Sequence, residues 1–453
     1  MGDKWQYMPF SEAVVVNPSV SLKRGETYPY VDMQAVDPSR PTVGPSRLRE
    51  FAGGGSRFEP YDTLMARITP CLENGKIARY VPDDEYFGPA FGSTEFIVIR
   101  GKEGVTDNDF VFYLTRWREF RSFAIAQMTG SSGRQRVPAE SLAGFEVPVP
   151  PLPEQRAIAR ILGTLDDKIE LNRRMNETLE AMAQALFKSW FVDLDPVVVN
   201  ALRAGNPIPE KFAARAAHYR DNPDALGLPE DILRLFPARF VDSELDPIPE
   251  GWEVGPLSKI ANLHTATATP SQEPEAIWEH YSIPAFDEGR MPKLEHGKDI
   301  KSGKYRVPAT AVLVSKLNPQ FPRVWLPDVI DETRAVCSTE FLPFVPRKSQ
   351  WRPIVYEILR SDAVQEKIRS IATGSTGSRQ RVKPKAVAEL NIVLASERLL
   401  DTFSEWVAPI HNRLLLNQNE SRTLAELRDT LLPKLISGEL RVPDVEKILE
   451  EAV

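Results

Sequence analysis

Short motifs recur along this chain at one fixed spacing, and that recurrence limits the architectures open to it. Ser93-Thr94-Glu95-Phe96 recurs as Ser338-Thr339-Glu340-Phe341, and Leu171-Asn172 recurs as Leu416-Asn417, in each case 245 positions later. A glycine-rich loop, Thr129-Gly130-Ser131-Ser132-Gly133-Arg134-Gln135-Arg136, recurs from Thr373 to Arg381 with one inserted residue. Unrelated matches would not keep one register over such a distance, so we predict a tandem duplication.

One repeated region predicts a long helix in the middle of the chain. Between Pro153 and Phe191, hydrophobic residues recur three and four positions apart, which is typical of a coiled-coil seam. Pro153 and Glu154 suit a first helical turn, where proline is tolerated and negative charge is favourable. A helix of this length with one narrow hydrophobic stripe requires a partner helix. The seam consists of Leu162, Leu165, Ile169, Asn172, Leu179 and Leu186.

The partner helix is predicted within the same chain. Residues 397–436 repeat the seam at Ile410, Leu414, Asn417, Leu424 and Leu431. We expect the two helices to pair in antiparallel orientation, which would place two globular domains at opposite ends. Asn172 and Asn417 are equivalent, and we expect them to fix the register of the pair as buried seam asparagines do. The alternative is that both asparagines are exposed.

The predicted fold class is α+β in both halves of the chain. Short hydrophobic runs broken by Gly and Pro alternate with helical intervals, one of them at residues 107–128. The 453 residues exceed one ordinary hydrophobic core, so several domains are expected. We divide the chain into an α+β domain (1–150), a long helix (151–195), an ordered Pro/Ala-rich linker (196–240), a second α+β domain (241–395), a second long helix (396–438) and a C-terminal tail (439–453).

Composition argues against several classes of protein. A hydrophobic content of 42% and a charged content of 26% are typical of globular chains, and no hydrophobic run is long enough to span a membrane. The N-terminus lacks the pattern of a secretory signal, and two cysteines permit at most one disulfide, so we expect a reduced, cytoplasmic protein. The five histidines are scattered, which predicts no metal site.

Two fragments resemble parts of a methyltransferase. Phe51-Ala52-Gly53-Gly54-Gly55 matches a glycine loop that binds S-adenosylmethionine, and Asn318-Pro319-Gln320-Phe321 is similar to the Asn-Pro-Pro-aromatic tetrapeptide of adenine methyltransferases. A cofactor loop of that kind should follow a buried strand, whereas this one follows the polar residues 46–50. The two fragments also fall in different repeats. We therefore expect no methyltransferase active site in this chain.

Basic segments stand out against the formal net charge of −7. Residues 301–326 and 369–385 contain no acidic residue, and the first of these segments has aromatic residues interleaved with its cations. Local positive charge of this kind suits contact with nucleic-acid phosphates, whereas a solvated basic face is the alternative. The counterpart in the first half consists of Arg116, Arg118, Arg121, Arg134 and Arg136.

The repeated glycine loop is the most specific of these signals. Glycines allow close approach of a ligand to the backbone, and hydroxyl and N–H groups suit phosphate oxygens. Arginine and glutamine side chains are able to read guanine and adenine edges, but a loop shared by both halves is poorly suited to reading two different sequences. We predict that the loop positions phosphate; a loop that only caps the docking site of the long helix is the alternative.

Taken together, these residues resemble the specificity subunit of type I restriction-modification systems, over nearly the whole chain. Ile248-Pro249-Glu250-Gly251-Trp252 opens the second repeat as in that family. The other matching segments are Pro150-Pro151-Leu152-Pro153-Glu154-Gln155 entering the helix, Leu165-Asp166-Asp167-Lys168-Ile169 within it, and Leu431-Leu432-Pro433-Lys434-Leu435-Ile436-Ser437-Gly438 closing the second repeat. Each segment alone is only moderately specific, but the ordered set on a duplicated frame is highly specific.

The resemblance implies two target-recognition domains, each reading one half of a bipartite, asymmetric site in double-stranded DNA, with the paired helices as a coiled-coil spacer. It also implies that the helices dock two methyltransferase (modification) subunits; whether restriction/translocase subunits accompany this chain is left open. The chain itself would be non-catalytic and bind no cofactor, because S-adenosylmethionine, ATP and Mg²⁺ would belong to the partner subunits. A DNA adenine methyltransferase and a coiled-coil interaction protein without DNA binding are the alternatives.

DNA contacts are predicted from both repeats. Residues that read bases are expected in the loops that the repeats do not share, for example at residues 46–57 and 302–305. The predicted contacts in the first repeat are Lys76, Ser131, Arg134, Gln135 and Arg136, and those in the second are Lys301, Lys304, Lys316, Arg323, Ser375, Arg379, Gln380, Arg381 and Lys383.

Overall fold

The computed structural model describes residues 5–83, 86–131, 133–244, 246–374 and 380–445. These residues form two compact units, unit 1 (Met1–Arg173 and Asn419–Val453) and unit 2 (Arg174–Gln418). Each unit therefore contains one α+β domain and part of each long helix. No helix in the described part of the chain combines the length and the hydropathy needed to cross a membrane.

Short strands dominate the globular part of unit 1. They form a sheet of order β2-β10-β7-β8-β4, a second sheet of order β5-β3-β9-β6 and the pair β1-β11. The strands are β1 (Gln6–Pro9), β2 (Val14–Val16), β3 (Thr27–Val31), β4 (Thr42–Val43), β5 (Arg47–Glu50), β6 (Ser56–Phe58), β7 (Thr63–Ala66), β8 (Ile77–Tyr80), β9 (Ala90–Gly92), β10 (Phe96–Gly101) and β11 (Glu146–Val149); the helices are α1 (Phe10–Ala13), α2 (Asn108–Arg116) and α3 (Arg118–Ala126).

Unit 2 begins its globular part with helices and continues with strands. Its sheets have the orders β15-β23-β20-β21 and β16-β19-β22-β17-β18, with the pairs β12-β13 and β14-β24 beside them. The strands are β12 (Phe240–Val241), β13 (Ile248–Pro249), β14 (Glu253–Pro256), β15 (Ala261–Leu263), β16 (Thr267–Ala268), β17 (Ile277–Tyr281), β18 (Lys293–His296), β19 (Lys304–Arg306), β20 (Val312–Ser315), β21 (Val324–Trp325), β22 (Ala335–Cys337), β23 (Phe341–Pro346) and β24 (Asn391–Leu394).

The long helices of the chain are α4 (Leu152–Phe187) and α12 (Glu397–Ser437). A π-helical turn, Lys188–Val192, follows α4 directly. Gly438 follows α12 with φ of +77°, a conformation that glycine adopts without strain and that commonly ends a helix. The shorter helices of unit 2 are α5 (Asp195–Ala204), α6 (Ala213–Arg220), α7 (Glu230–Leu233), α8 (Ile283–Asp287), α9 (Arg352–Arg360), α10 (Asp362–Ser370) and α11 (Pro384–Ala388).

The central strand pairings recur in the two units, which confirms the duplication, although the described β4–β8 pair of unit 1 and β16–β19 pair of unit 2 have no counterpart. Strand β10 is antiparallel to β7 as β23 is to β20, and β3 is parallel to β9 as β17 is to β22. The equivalent strands β10 and β23 begin at Phe96 and Phe341, which are 245 positions apart. The two sequences therefore fold around one strand arrangement.

Segments of α4 and α12 pack antiparallel within each unit, as the sequence predicts. In unit 1, Asn172 donates a hydrogen bond to Glu420 at 2.9 Å, and Lys168 lies 3.5 Å from the same carboxylate. In unit 2, Asn417 donates to Asn176 at 2.8 Å, and the ring of Trp190 lies 5.6 Å from that of Phe403. Partner numbers on α12 fall as those on α4 rise, so the direction is antiparallel.

The predicted seam is buried to different degrees along its length. Asn172 and Asn417 are 0% and 1% exposed, so the alternative that they lie on the surface is wrong. Their hydrogen bonds each require one helix register, because a shift by one turn would leave a buried amide without its partner. Leu162, Leu414 and Leu431 are also buried, whereas Leu165, Ile169, Leu179, Leu186, Ile410 and Leu424 are half-buried.

The segment at residues 196–240 is not a linker, contrary to the expectation from its Pro/Ala-rich composition. Val197, Val198 and Val199 on α5 are 0% exposed. Val197 and Val198 belong to the main hydrophobic core of unit 2 together with Phe236. The sequence prediction failed because the Pro/Ala-rich composition of the whole segment outweighed the three consecutive valines.

Two other boundaries differ from the prediction. The helical interval at residues 107–128 is divided into α2 and α3, because Trp117 between them has extended backbone with ψ of 133°. The C-terminal tail packs on unit 1 as far as it is described. Val442 and Val445 lie in the core of that unit, and the Arg441 guanidinium lies 4.5 Å from the centroid of the Trp5 ring.

A buried polar contact joins the globular domain to the long helices in each unit. In unit 1, Tyr113 on α2 donates to Asp166 on α4 at 2.8 Å, and Arg428 on α12 donates to the other oxygen of Asp166 at 2.6 Å. In unit 2, His411 on α12 lies 2.9 Å from Glu357 on α9. His411 is 245 positions after Asp166 and Glu357 is 244 after Tyr113, so the contact recurs with different side chains.

Replacing Asp166 with Asn should destabilise unit 1, because the buried Arg428 guanidinium would lose its buried anion and keep only the carboxylate of the exposed Asp429. We expect a loss of about 3 kcal/mol in the free energy of unfolding, a magnitude typical of a buried pair that loses one partner. Hydrogen exchange of amides in α2 and α4 measures this change. Asp167→Asn, at the exposed neighbouring position, is the control. Equal protection in the two variants would show that the Asp166 contact does not hold the domain to the helix.

Candidate nucleic-acid interface

The two ends of the repeated glycine loop are joined by the same pair of backbone hydrogen bonds in both units. In unit 1, Thr129 N–H donates to Arg136 O at 3.0 Å and Arg136 N–H donates to Thr129 O at 2.8 Å. The same two hydrogen bonds join Thr373 and Arg381 in unit 2, at 2.9 and 3.0 Å. Gly130 has φ of +123°, and its counterpart Gly374 has φ of +134°. The described ends of the two loops thus share one backbone arrangement, in which the first glycine has a positive φ.

Each loop is anchored to the chain that leaves a central strand. Thr69 N–H donates to Gln135 O at 3.0 Å in unit 1, and Asn318 N–H donates to Gln380 O at 2.8 Å in unit 2. The tetrapeptide that begins at Asn318 is therefore the anchoring turn of the loop; Phe321 N–H closes it on Asn318 O at 3.0 Å. Its likeness to a methyltransferase motif has this structural explanation.

The two strongest sequence repeats contact each other. Arg136 of the loop binds the carboxylate of Glu95 through Nε and Nη2, at 2.9 and 2.7 Å, and Arg381 binds Glu340 through the same atoms, at 3.1 Å each. The hydrogen bonds to glutamate raise the pKa of both guanidinium groups. Since a carboxylate already balances each charge, these arginines hold the loop in place, and their predicted role as phosphate contacts is not supported by this geometry.

Other predicted contact residues are also engaged within their own domain. Lys76 donates to Met33 O at 2.9 Å. Both ends of the Arg323 guanidinium bind Asp287, at 2.7 and 2.8 Å, and its side chain is 16% exposed. Lys304 is buried and donates to Ser302 Oγ at 2.6 Å, and burial lowers its pKa. These three cations stabilise strands and loops.

A second group of predicted residues is accessible. Gln135, Gln380 and Lys316 are half-buried, and the side chains of Arg134, Lys301 and Lys383 make no hydrogen bond or ion pair within the described residues. Ser131, Arg134, Lys301 and Lys383 are exposed. Ser375 and Arg379 lie outside the described residues. The predicted set is thus divided between residues that build the loop and residues that face solvent.

Two of the three helix arginines in the basic patch predicted for the first repeat are engaged within their domain, whereas Arg118 is exposed. Arg116 donates to Pro38 O at 3.3 Å, and Arg121 donates to Glu73 O at 3.4 Å. Burial lowers the pKa of both guanidinium groups. The aromatic residues interleaved with the second patch include Trp325, which is 2% exposed and belongs to the core. Counting charges along the sequence therefore overestimated the positive surface.

An open cavity of about 330 Å³ lies beside the loop anchor in unit 1. Its lining includes Arg57, Arg67, Ser19, Ser56 and Thr94, and the described residues that line it include no carboxylate. Sequence reasoning did not identify Arg67, and it placed Arg57 only within an unshared loop. Both residues are identified when the strands of the two units are aligned by their pairing register, because each then has a basic counterpart at the equivalent position of unit 2.

The glycine run at residues 53–55 has none of the context of a cofactor loop. It joins β5 to β6, so a strand precedes it and a strand follows it. Gly55 has φ of +99°, and a Cβ atom there would lie 2.6 Å from Gly92 O. Close strand packing therefore requires glycine at position 55, whereas a Cβ atom at Gly53 or Gly54 would meet no described atom within 4 Å. Among the described residues, no group of three or more His, Cys, Asp or Glu is placed to hold a metal ion.

Known proteins similar to this chain share one description. A family model described as a type I restriction modification DNA specificity domain matches residues 63–181. The chain is 26% identical over 430 residues to the type I restriction enzyme HindI specificity subunit of Haemophilus influenzae, covering 87% of this chain and 90% of that protein. It is 25% identical over 356 residues to the MjaIX specificity subunit of Methanocaldococcus jannaschii, covering 76% and 71%.

A solved structure has the same fold. The crystal structure of the type I restriction-modification system S subunit from M. genitalium matches with a TM-score of 0.50 and 14% sequence identity, covering 96% of each chain. The family model covers the loop region and much of the first long helix, and the relatives extend the match over most of the chain. Over most of its length, the chain is therefore similar to type I restriction-modification specificity subunits.

Proposed function

We propose that this chain is a non-catalytic DNA-recognition subunit that reads a bipartite, asymmetric DNA site with its two α+β domains. The observation that carries the proposal is the contrast between shared and divergent parts of the units. The hydrogen bonds that close the ends of the glycine loop, its backbone anchor and its glutamate–arginine pair recur in both units, whereas the edge strands differ in sequence. A shared frame suits the DNA backbone, which is alike at every site, and divergent strands suit two different half-sites.

Catalysis is assigned to partner subunits in this proposal. Two modification subunits would bind S-adenosylmethionine and methylate adenine, and restriction/translocase subunits, where present, would use ATP and Mg²⁺. The paired helices would link the two recognition domains and dock the modification subunits. The chain itself would supply sequence recognition and assembly.

The edge strands β5 and β18 are the candidate base readers. Register makes Leu48 equivalent to Leu294, and both are exposed, at 67% and 63%. The next position differs, because Arg49 in unit 1 is matched by Glu295 in unit 2. Arginine hydrogen-bonds guanine in the major groove and glutamate accepts from cytosine. The Arg49 guanidinium, 4.7 Å from the centroid of the Tyr30 ring, pairs with no carboxylate among the described residues and is free to bind a base.

The long helices offer one matching surface in each unit for a subunit partner. Leu171 on α4 and Leu416 on α12 are equivalent residues, and they are 51% and 59% exposed. Each is followed by a buried seam asparagine, so its side chain faces away from the helix pair. A surface that occurs once per repeat matches two copies of one partner, and the recurrence of an exposed leucine at equivalent positions is the reason for assigning the docking surface here.

The proposed function is tested by sequencing modified bases in a genome that expresses this chain with its modification subunits. We expect methylated adenine in one motif with two defined half-sites separated by a fixed gap. The purified chain alone should not methylate DNA when supplied with S-adenosylmethionine. Methylation by the chain alone, or binding of the complex without any sequence preference, would contradict the proposal.

Arg49→Ala should relax recognition in one half-site only. We expect about 1–3 kcal/mol of discrimination to be lost at one base pair, a magnitude typical of a bidentate arginine contact with guanine. Competition binding with duplexes that carry single-base changes measures this loss. The control is Lys23→Ala, which removes an exposed cation paired with Glu26 in the same unit. Relaxed recognition in both half-sites, or in neither, would remove Arg49 from the base contacts.

Leu171→Ser and Leu416→Ser should each weaken one of two partner sites. Native mass spectrometry of the assembled complex should show two modification subunits with the original chain, one with either single variant, and none with the double variant. Met182→Ser is the control, because Met182 is 53% exposed on α4 but its equivalent, Leu427, is half-buried. Full assembly of the double variant would place the docking surface elsewhere.

A further inference from the structure

Two basic side chains occupy equivalent places in the two units, although sequence comparison does not align them. Arg57 lies opposite Phe91 in the β6–β9 pair, and Arg306 lies opposite Val336 in the β19–β22 pair. Phe91 and Val336 are themselves 245 positions apart and equivalent. Arg57 and Arg306 are 249 positions apart, so an alignment at the common spacing misses them.

A second pair of cations follows the central strand of each unit. Arg67 N–H donates to Glu95 O at 2.9 Å, and Lys316 N–H donates to Glu340 O at 2.8 Å. The carbonyl groups of the same two residues accept from Val137 at 2.8 Å and from Val382 at 3.0 Å. Each cation is therefore fixed between the repeated glutamate motif and the end of the glycine loop.

The charges of these four residues have no carboxylate partner within the described chain. The nearby glutamates already bind Arg136 and Arg381. Arg67 Nε is buried and lacks a hydrogen-bond partner among the described residues. Arg57 and Arg306 donate only to backbone carbonyl groups, at 3.3 and 3.2 Å. A buried donor without a partner is costly, so this arrangement indicates an acceptor from outside the chain.

The cavity in unit 1 has room for that acceptor. Arg57 and Arg67 both line its volume of about 330 Å³, together with hydroxyl groups of Ser19, Ser56 and Thr94. Gly55 also lines it, and a side chain at Gly55 would collide with the Gly92 carbonyl. Two cations, several hydroxyl groups and no carboxylate form a site suited to an oxyanion.

Comparison of the two units favours a DNA phosphate over a base edge as the group that these cations bind. Position 67 carries arginine and its equivalent carries Lys316, so the charge is retained while the planar guanidinium is not. A planar guanidinium and an ammonium present different donor geometries to a base edge, whereas a phosphate accepts either cation, so the exchange favours phosphate binding. We propose that Arg57 with Arg67, and Arg306 with Lys316, are equivalent sites that each bind a backbone phosphate of the DNA beside the glycine loop. This inference rests on the proposed function and assigns phosphate positioning to residues outside the loop.

The test uses the full chain assembled with its modification subunits and a DNA duplex that carries the site found by modified-base sequencing. Dissociation constants are measured over a range of salt concentrations. Arg67→Gln and Lys316→Gln should each weaken binding about tenfold, as expected for the loss of a charged hydrogen bond. Each should lower the slope of log Kd against log salt by about one unit and leave base preference unchanged. The exchanges Arg67→Lys and Lys316→Arg should keep the original slope.

Matched controls separate this inference from the wider proposal. Lys23→Gln and Lys298→Gln remove exposed cations that pair with glutamates and should leave the slope unchanged. Melting temperatures equal to that of the original chain show that the variants are folded. Unchanged slopes in the Gln variants, or loss of preference at one base pair, would overturn the phosphate sites while specific binding remained. If the original complex bound its site and a scrambled duplex equally well, the proposed function itself would be overturned.

Discussion

Antiparallel packing of α4 on α12 is the interaction on which the rest of the structure depends. Each helix has a hydrophobic stripe too narrow for a globular core, and each contributes a stretch to both units. The stripe alone would tolerate several registers, since leucines interchange easily. Asn172 and Asn417 remove that freedom, because each is buried and donates to one residue of the opposite helix. Register is thus fixed by polar contacts inside an apolar seam.

The globular domains depend on that helix pair through buried polar groups. Asp166 accepts hydrogen bonds from Tyr113 of the domain and from Arg428 of the opposite helix. One carboxylate therefore joins three helices, and its contacts have a direction that hydrophobic packing lacks. In unit 2, the equivalent contact between the domain and the long helix is made by His411 and Glu357. The position of the contact is shared although its chemistry differs, which indicates that the attachment point matters more than the identity of the side chains.

The duplication, the α+β class, the antiparallel pair and the buried asparagines could be predicted from sequence, because periodicity and recurrence report directly on packing. The candidate site was harder. Arg136 and Arg323 were counted as free positive charge, but Glu95 and Asp287 neutralise them from 41 and 36 residues away in the chain. Pairing over such distances depends on strand register. The same limit hid Arg67, whose counterpart Lys316 becomes visible only when β7 and β20 are aligned.

The partner of each cation determines its role, although the sequence shows only an arginine or a lysine at each position. A cation balanced by a carboxylate, such as Arg381, stabilises the loop and has little charge to offer a polyanion. A cation held by backbone contacts alone, such as Arg57, keeps its charge for a ligand. Cations of the second kind recur in both units where the strand frame is shared. Residues that differ between units, such as the exposed Arg49 and the half-buried Glu295, lie on edge strands. Shared charge beside the loop and divergent chemistry at the edge would let one duplicated frame hold DNA in the same way twice while reading two different sequences.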